Sequence, residues 1–395
     1  MREYYAAILG NDGRENEDSA RTSEGKGSGF REFVVHKAMP ISEPIARENR
    51  VIFSRGEREF TAREVVDCAV LRGEIDPLWD EFVRVGECDR LASEQGLETD
   101  ESAVDAAAIA FRYQYDLITA EETERWLEGR GVSLSEFGEY FGRKYWGRTY
   151  SGVTQVPTFT YQTSAVEERD LFLVDLILSG SLDQMAERLS YRIAAQADEN
   201  SGEDAKEERA RFLAERRITD LAPWLEQLGR DEKWLNEMLA AEVAYRRRVA
   251  NILTEQTLQK ELGPMRLNLT HFELETVEVD SRDAAAEVAA CVRNDGMEMS
   301  EIAEEGRYPF HVSEVLLEDV PSEQQQKFLS VKAGTLFDPI PRGDGFEVWR
   351  VKTRTEPSLQ DVAIRSRLEK RIIDRCFNEL LTKYIDWKFF LPPNE

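Results

Sequence analysis

The apolar residues of this chain change their period once, at Leu267, and that change limits the fold more than any other feature. From about residue 51 to residue 262 they recur three or four positions apart, as one buried helix face requires. Leu78, Phe82, Val85, Leu91 and Ala92 trace such a face, with Gly96 as its stop. From Leu267 they alternate, so that Leu267, Leu269 and His271 fall on one side of a strand and Asn268, Thr270 and Phe272 on the other. A chain with both periods is expected to be α+β, a mainly helical domain followed by a small mixed one.

Local signals place the helices. Thr119 with Glu122, Ser133 with Glu136 and Ser164 with Glu167 each set a hydroxyl three residues before a carboxylate, the pattern of a capping box. The charged run ADENSGEDAKEE, residues 197–208, is a loop, and residues 234–262 form one long helix ended by Gly263-Pro264. After the strand come helices over 283–293 and near 299–305, the stretch VPSEQQQKFLSV, the strand FEVWRV at 346–351, and a return to helix over 358–387. GKGSG at 25–29 lacks a preceding buried strand and a following Lys-Ser/Thr pair, so it belongs to a linker and not to a phosphate loop. The expected organisation is a mobile arm over 1–50, a helical domain over 51–262, an α+β domain over 263–356, and a C-terminal helix over 357–395. That last helix is expected to pack back on the helical domain, against residues 51–150.

Charge removes one class of partner. With 77 acidic residues against 51 basic ones and a formal net charge of −26, the chain repels phosphate backbones, and RRR at 246–248 is too short a patch to reverse this. No nucleic acid partner is expected. An acidic surface suits a basic or unfolded polypeptide, although a solvated surface accounts for it equally. Cys68, Cys88, Cys291 and Cys376 are scattered without metal or redox spacing, and no apolar run has the length of a signal peptide or a membrane span. A cytoplasmic protein with reduced thiols, no membrane span and no cofactor or metal is expected.

Four segments of the α+β part, in order, resemble the parvulin, or PpiC-type, peptidyl-prolyl isomerase domain. LNLTHFELET (267–276) resembles its first strand, with Thr270-His271 on the family's Ser-His pair; GMEMSEIA (296–303) resembles its Gly-Glu-Asp-Phe-Ala-Glu-Leu-Ala helix. LSVKAGTLFDPI (329–340) and DGFEVWRV (344–351) resemble the last loop and the closing Phe-Gly-Tyr-His-Ile-Ile-Lys-Leu strand. These segments cover a quarter of the chain. ECDRLASEQGLETDESAVDAA (87–107) resembles the helix junction of SurA-like chaperones, whose final helix rejoins the amino-terminal helices. RNDG, EVLLEDVP, GDGF and the Glu-Pro-Ser-Leu before the last helix resemble landmarks of PpiC-related proteins assigned to peptide maturation systems.

The resemblance implies what a working site would hold: an apolar proline pocket walled by Met and Phe, and two histidines, from the first and last strands, in a buried hydrogen-bond network beside a Cys or Asp. His271 matches the first histidine, and Glu347 stands where the second would be. The pocket positions fall on Asp319 and Glu323 or on Val320 and Gln324, so at least one wall is polar. EEGRYPFHVSE (304–314) replaces the family's Gly-Gly-Asp-Leu-Gly segment. His271 and Glu347 are therefore the candidate catalytic residues, with a core imidazole as the other reading of His271. Phe328, Phe346 and Trp349, with Phe337, could line a peptide groove or form core. His311 with Glu314 could suggest a metal or acid/base pair but lacks a third ligand. No Gly-x-Ser-x-Gly or HExxH motif points to a hydrolase. The expected function is binding of unfolded or precursor peptide by a chaperone or maturation factor with a degenerate isomerase site; the alternative is an active isomerase. The oligomeric state is open.

Overall fold

The computed structural model describes residues 46–153, 160–198 and 205–388. The arm expected over 1–50 lies, up to residue 45, outside the described residues. Residues 46–50 are held: Arg47 pairs with Asp170 at 2.9 Å and Glu136 at 2.6 Å.

The described chain forms two compact units, one ending at Arg246 and resuming at Phe377, the other spanning Arg247–Cys376. In the first, a hairpin of β1 (Val51–Arg55) and β2 (Arg58–Thr61) precedes ten helices: α1 (Ala62–Arg72), α2 (Ile75–Glu94), α3 (Glu101–Gln114), α4 (Ala120–Arg130), α5 (Leu134–Thr149), α6 (Val166–Leu178), α7 (Ser181–Asp198), α8 (Ala205–Glu215), α9 (Leu221–Leu228) and α10 (Glu232–Ile252), the last running past the division. Thr119–Glu122 and Ser133–Glu136 form the reciprocal capping boxes that start α4 and α5. The third expected box is displaced by one residue. Glu168 accepts from the Ala165 amide at 3.0 Å, whereas the Ser164 hydroxyl donates to the Tyr161 carbonyl. Trp79 packs edge-on to Tyr161 and Phe172 and at a tilt on Phe82 in the core of this unit, joined to the cluster of Phe111, Phe137 and Phe141.

The chain returns to this unit at its C-terminal end. α15 (Val362–Tyr384), which also runs past the division, stacks Phe377 on Tyr191 with ring centroids 4.9 Å apart. β7 (Asp386–Trp387) then pairs with β1, Trp387 opposite Phe53, so the small sheet has the order β2-β1-β7. Contact with 51–150 is made here by Trp387, while Phe377 meets Tyr191 and Tyr245.

In the second unit the expected single helix over 234–262 is two. α10 ends at Ile252, and Thr254 caps α11 (Glu255–Met265) by accepting from the Thr257 amide at 3.2 Å. Gly263-Pro264 lies in the last turn of α11 instead of beyond it. The strand also starts later than the alternation at Leu267 implies. The Leu269 amide donates to the Met265 carbonyl at 2.9 Å and Thr270 to Leu267 at 3.1 Å, continuing a helical turn. Leu269 is buried with Leu258, Leu262, Leu368 and Ile372, between α11 and α15.

β3 (His271–Val279), β4 (Phe310–Leu316), β5 (Ile340–Arg342) and β6 (Gly345–Thr355) form an antiparallel sheet of order β4-β3-β6-β5. α12 (Arg282–Ala290) and α13 (Met299–Gly306) cover one face through Val277, Val279, Val348, Val288 and Met299. α14 (Ser322–Ser330) covers part of the other through Phe328, packed on Phe272, Leu274 and Val351. The protein is thus α+β.

Candidate functional site

The sheet register decides which candidate residues can meet. Glu278 of β3 stands opposite Glu347 of β6, and His271 stands opposite Thr355. Seven residues separate His271 from Glu278, roughly 23 Å along a strand, and an odd spacing puts them on opposite faces. The two candidate catalytic residues are therefore not brought together. On the face of Glu347 the nearest β3 residues are Glu278, directly opposite, and Thr276, opposite Trp349. His271, at the other end of the strand and on its other face, does not meet Glu347. Anchoring on a residue type hid this, because a strand tolerates a histidine at either end without changing its alternation.

Around Glu347 a polar cluster has formed. The residue is 3% exposed. Arg342 donates to one oxygen, and the Trp349 indole N–H to the other at 3.0 Å. That bond raises the Arg342 guanidinium above its ordinary range. Arg342 also lies 3.9 Å from Glu278, whose carboxylate is 3.5 Å from His311 Nε2. Two carboxylates opposed across a sheet repel each other, and Arg342 offsets that repulsion. Its place is set by a two-residue hairpin: Arg342 opposes Gly345, with Gly343 at φ +55° in the turn. Gly345 cannot carry a side chain without displacing backbone, since a Cβ there would stand 2.7 Å from the Val279 carbonyl oxygen.

The histidine partners are exchanged relative to expectation. His311 faces Glu278, and Glu314 instead lies 3.5 Å from His271 Nε2. Among the described residues no group of three or more His, Cys, Asp or Glu could hold a metal ion. His271 is half-buried at the far end of β3.

The three peptide-binding candidates also separate. Phe328 is fully buried and stacks on Phe337 at 4.7 Å, edge-on to Phe272 at 5.1 Å. Phe346 points to the opposite face, into the core beneath α12 and α13. Trp349, half-buried like Phe346, has Phe337 6.4 Å away on one side and Glu347 on the other. Two of the positions offered for the proline pocket are engaged: Asp319 is paired with Arg367 at 2.7 Å and Val320 is buried in the aromatic cluster. An apolar wall is present but sealed. The arrangement can present an indole edge, a guanidinium and carboxylates to a peptide, and each oxygen of Glu347 already accepts one hydrogen bond.

Sequence reasoning missed Thr276, Glu278 and Arg342. A signal for Arg342 exists in PRGDGF, since a tight turn at Gly343-Asp344 places Arg342 on the face of Glu347. No such signal marked Glu278, whose role depends on the register alone.

No protein-family model matches the chain, and no curated protein matches it. Among solved structures it is similar to the peptidylprolyl isomerase PrsA from Bacillus anthracis, at 14% identity over 51% of this chain and 96% of that one, with a TM-score of 0.30. For PrsA from Bacillus cereus the identity is 15% over 57% of this chain and 89% of that one, with a TM-score of 0.32. A SurA-like chaperone of Campylobacter jejuni is similar at 12% identity over 53% of this chain and 88% of that one, with a TM-score of 0.19.

Proposed function

We propose that this protein binds unfolded or precursor peptide, as a cytoplasmic chaperone or maturation factor of SurA-like build, and that its parvulin-like centre no longer isomerises proline. The observation that carries this is Glu347: a buried carboxylate with both oxygens engaged, where the resemblance calls for a histidine facing another. Isomerisation requires the X-Pro amide to lose resonance as it twists, helped by an apolar pocket and hydrogen bonds directed at the twisted form. Here the aromatic wall is closed around Phe328, and the open part of the face carries Glu278, Arg342 and Trp349. Such a surface can grip peptide backbone and charged side chains. The cytoplasmic part of this reading rests on the scattered spacing of the four cysteines in the sequence.

The test is aggregation of reduced insulin with and without the full chain. Slowed aggregation at stoichiometric amounts, weakened by Trp349→Ala with the fold intact, is the expected result. Unchanged aggregation at several-fold excess would refute peptide binding.

A further inference from the structure

β4 is an edge strand: β3 lies on one side of it, and no strand lies on the other among the described residues. The register with β3 tells which of its backbone groups are already used. In an antiparallel pair, opposed residues alternate between exchanging both hydrogen bonds and turning both groups away from each other. Leu317 donates to the Thr270 carbonyl and Glu278 to the Pro309 carbonyl, each at 3.0 Å, at the two ends of the ladder. Both bonds belong to one unbroken pairing in which Val315 faces Phe272, Ser313 faces Leu274 and His311 faces Thr276. His311, Ser313 and Val315 therefore bond to β3, whereas Phe310, Val312 and Glu314 direct their N–H and C=O groups outward.

Exposed edges are usually blunted by lysine, proline or a bulge. FHVSEVL has no lysine or proline, its register has no bulge, and Val312 is 51% exposed. The surroundings are acidic. From Asp295 to Leu316 six carboxylates stand against one arginine, and Glu301, Glu304 and Glu305 of α13, which packs beside β3 and β4, are exposed. Pairing β4 with β4 of a second copy would join two chains of net charge −26 over one short strand, far less area than stable dimers bury.

The geometry points to β4 as the place where an extended peptide segment carrying lysine or arginine adds as a fifth strand, its backbone bonded to Phe310, Val312 and Glu314. This rests on the peptide-binding reading above and names the class of segment bound. Backbone bonding makes recognition tolerant of side chains, and the carboxylates select for positive charge.

The experiment follows amide hydrogen exchange by NMR on the full chain, with an eight-residue peptide of alternating lysine and valine and a counterpart with glutamate for lysine. The Phe310, Val312 and Glu314 amides exchange fast in the free chain and slow at least about tenfold with the lysine peptide, while His311 and Ser313 are protected throughout. The glutamate peptide leaves the three amides fast. Val312→Pro removes only an outward N–H, so it weakens lysine-peptide affinity at least about tenfold with unchanged circular dichroism, whereas Val312→Ala binds as before. Lysine-peptide binding with the three amides unaltered would overturn the edge site and leave peptide binding standing. Protection of those amides without peptide, rising with protein concentration, would overturn it in favour of a second copy. Failure to bind the lysine peptide overturns the edge site, and if aggregation of reduced insulin is also unaffected, the peptide-binding reading falls with it.

Discussion

The two ends of β3 carry the same kinds of side chain in opposite circumstances. At one end Glu347, opposite Glu278, is buried with a guanidinium and an indole N–H on its oxygens. At the other, His271 is half-buried with one carboxylate 3.5 Å away, and Glu273 is paired with Lys352 at 2.9 Å near the surface. Glu347 is buried and each of its oxygens accepts a hydrogen bond, which holds that carboxylate in place, while exposed pairs at the His271 end contribute little. Of the two, the Glu347 end has its side chains the more firmly placed.

The largest effect tests what seals the face beside Glu347. Phe328→Ala removes a fully buried ring packed on Phe272 and Phe337, and should lower the stability of the second unit by about 3–5 kcal/mol in denaturant titration. A loss under about 1 kcal/mol would mean that the aromatic wall is open. Next, Glu347→Ala should cost about 2 kcal/mol, because the Trp349 N–H loses its partner inside the fold.

A half-buried carboxylate of the first unit sharpens the contrast. Burial pushes the Asp183 carboxyl up to about 6, against the opposing pull of Arg130. A raised acid favours the fold below its unfolded pKa, and that contribution is lost as pH rises through the folded value. Asp183→Asn should therefore stabilise the first unit by up to about 2 kcal/mol at pH 7.5 and give no gain below about pH 4. Thermal melts at the two pH values read the difference; an equal gain at both would assign the effect to packing. The smallest effect belongs to His271→Ala, expected to cost less than about 1 kcal/mol and to leave aggregation suppression unchanged. A larger fall in suppression than in stability would return His271 to the site.

What was legible in the sequence was local. Thr119–Glu122 and Ser133–Glu136 cap as their spacing implies, because a capping box needs no distant partner. The strand FEVWRV and the helix near 299–305 were visible as periodic runs, and the observed elements extend them. The break at Leu253–Thr254 was hidden because apolar spacing continues across it, and only the Thr254 hydroxyl marks the restart. Leu267 and Leu269 alternate but belong to a helical turn, since Leu269 is buried against α11 and α15. The neighbours of Glu347 were not legible, because they depend on register. Period two assigns a face to each residue of β3, yet which of them meets Glu347 is fixed by pairing, bulge and hairpin together.

The central claim, that the locked Glu347 end grips peptide without turning proline, is tested most directly by the cis-to-trans rate of a proline tetrapeptide with the full chain present. The rate should stay within about twofold of the uncatalysed one, which runs over tens to hundreds of seconds, at protein concentrations that slow aggregation of reduced insulin. A robust, saturable acceleration that Glu347→Gln or Trp349→Ala abolishes with the fold intact would contradict the account and establish an active isomerase.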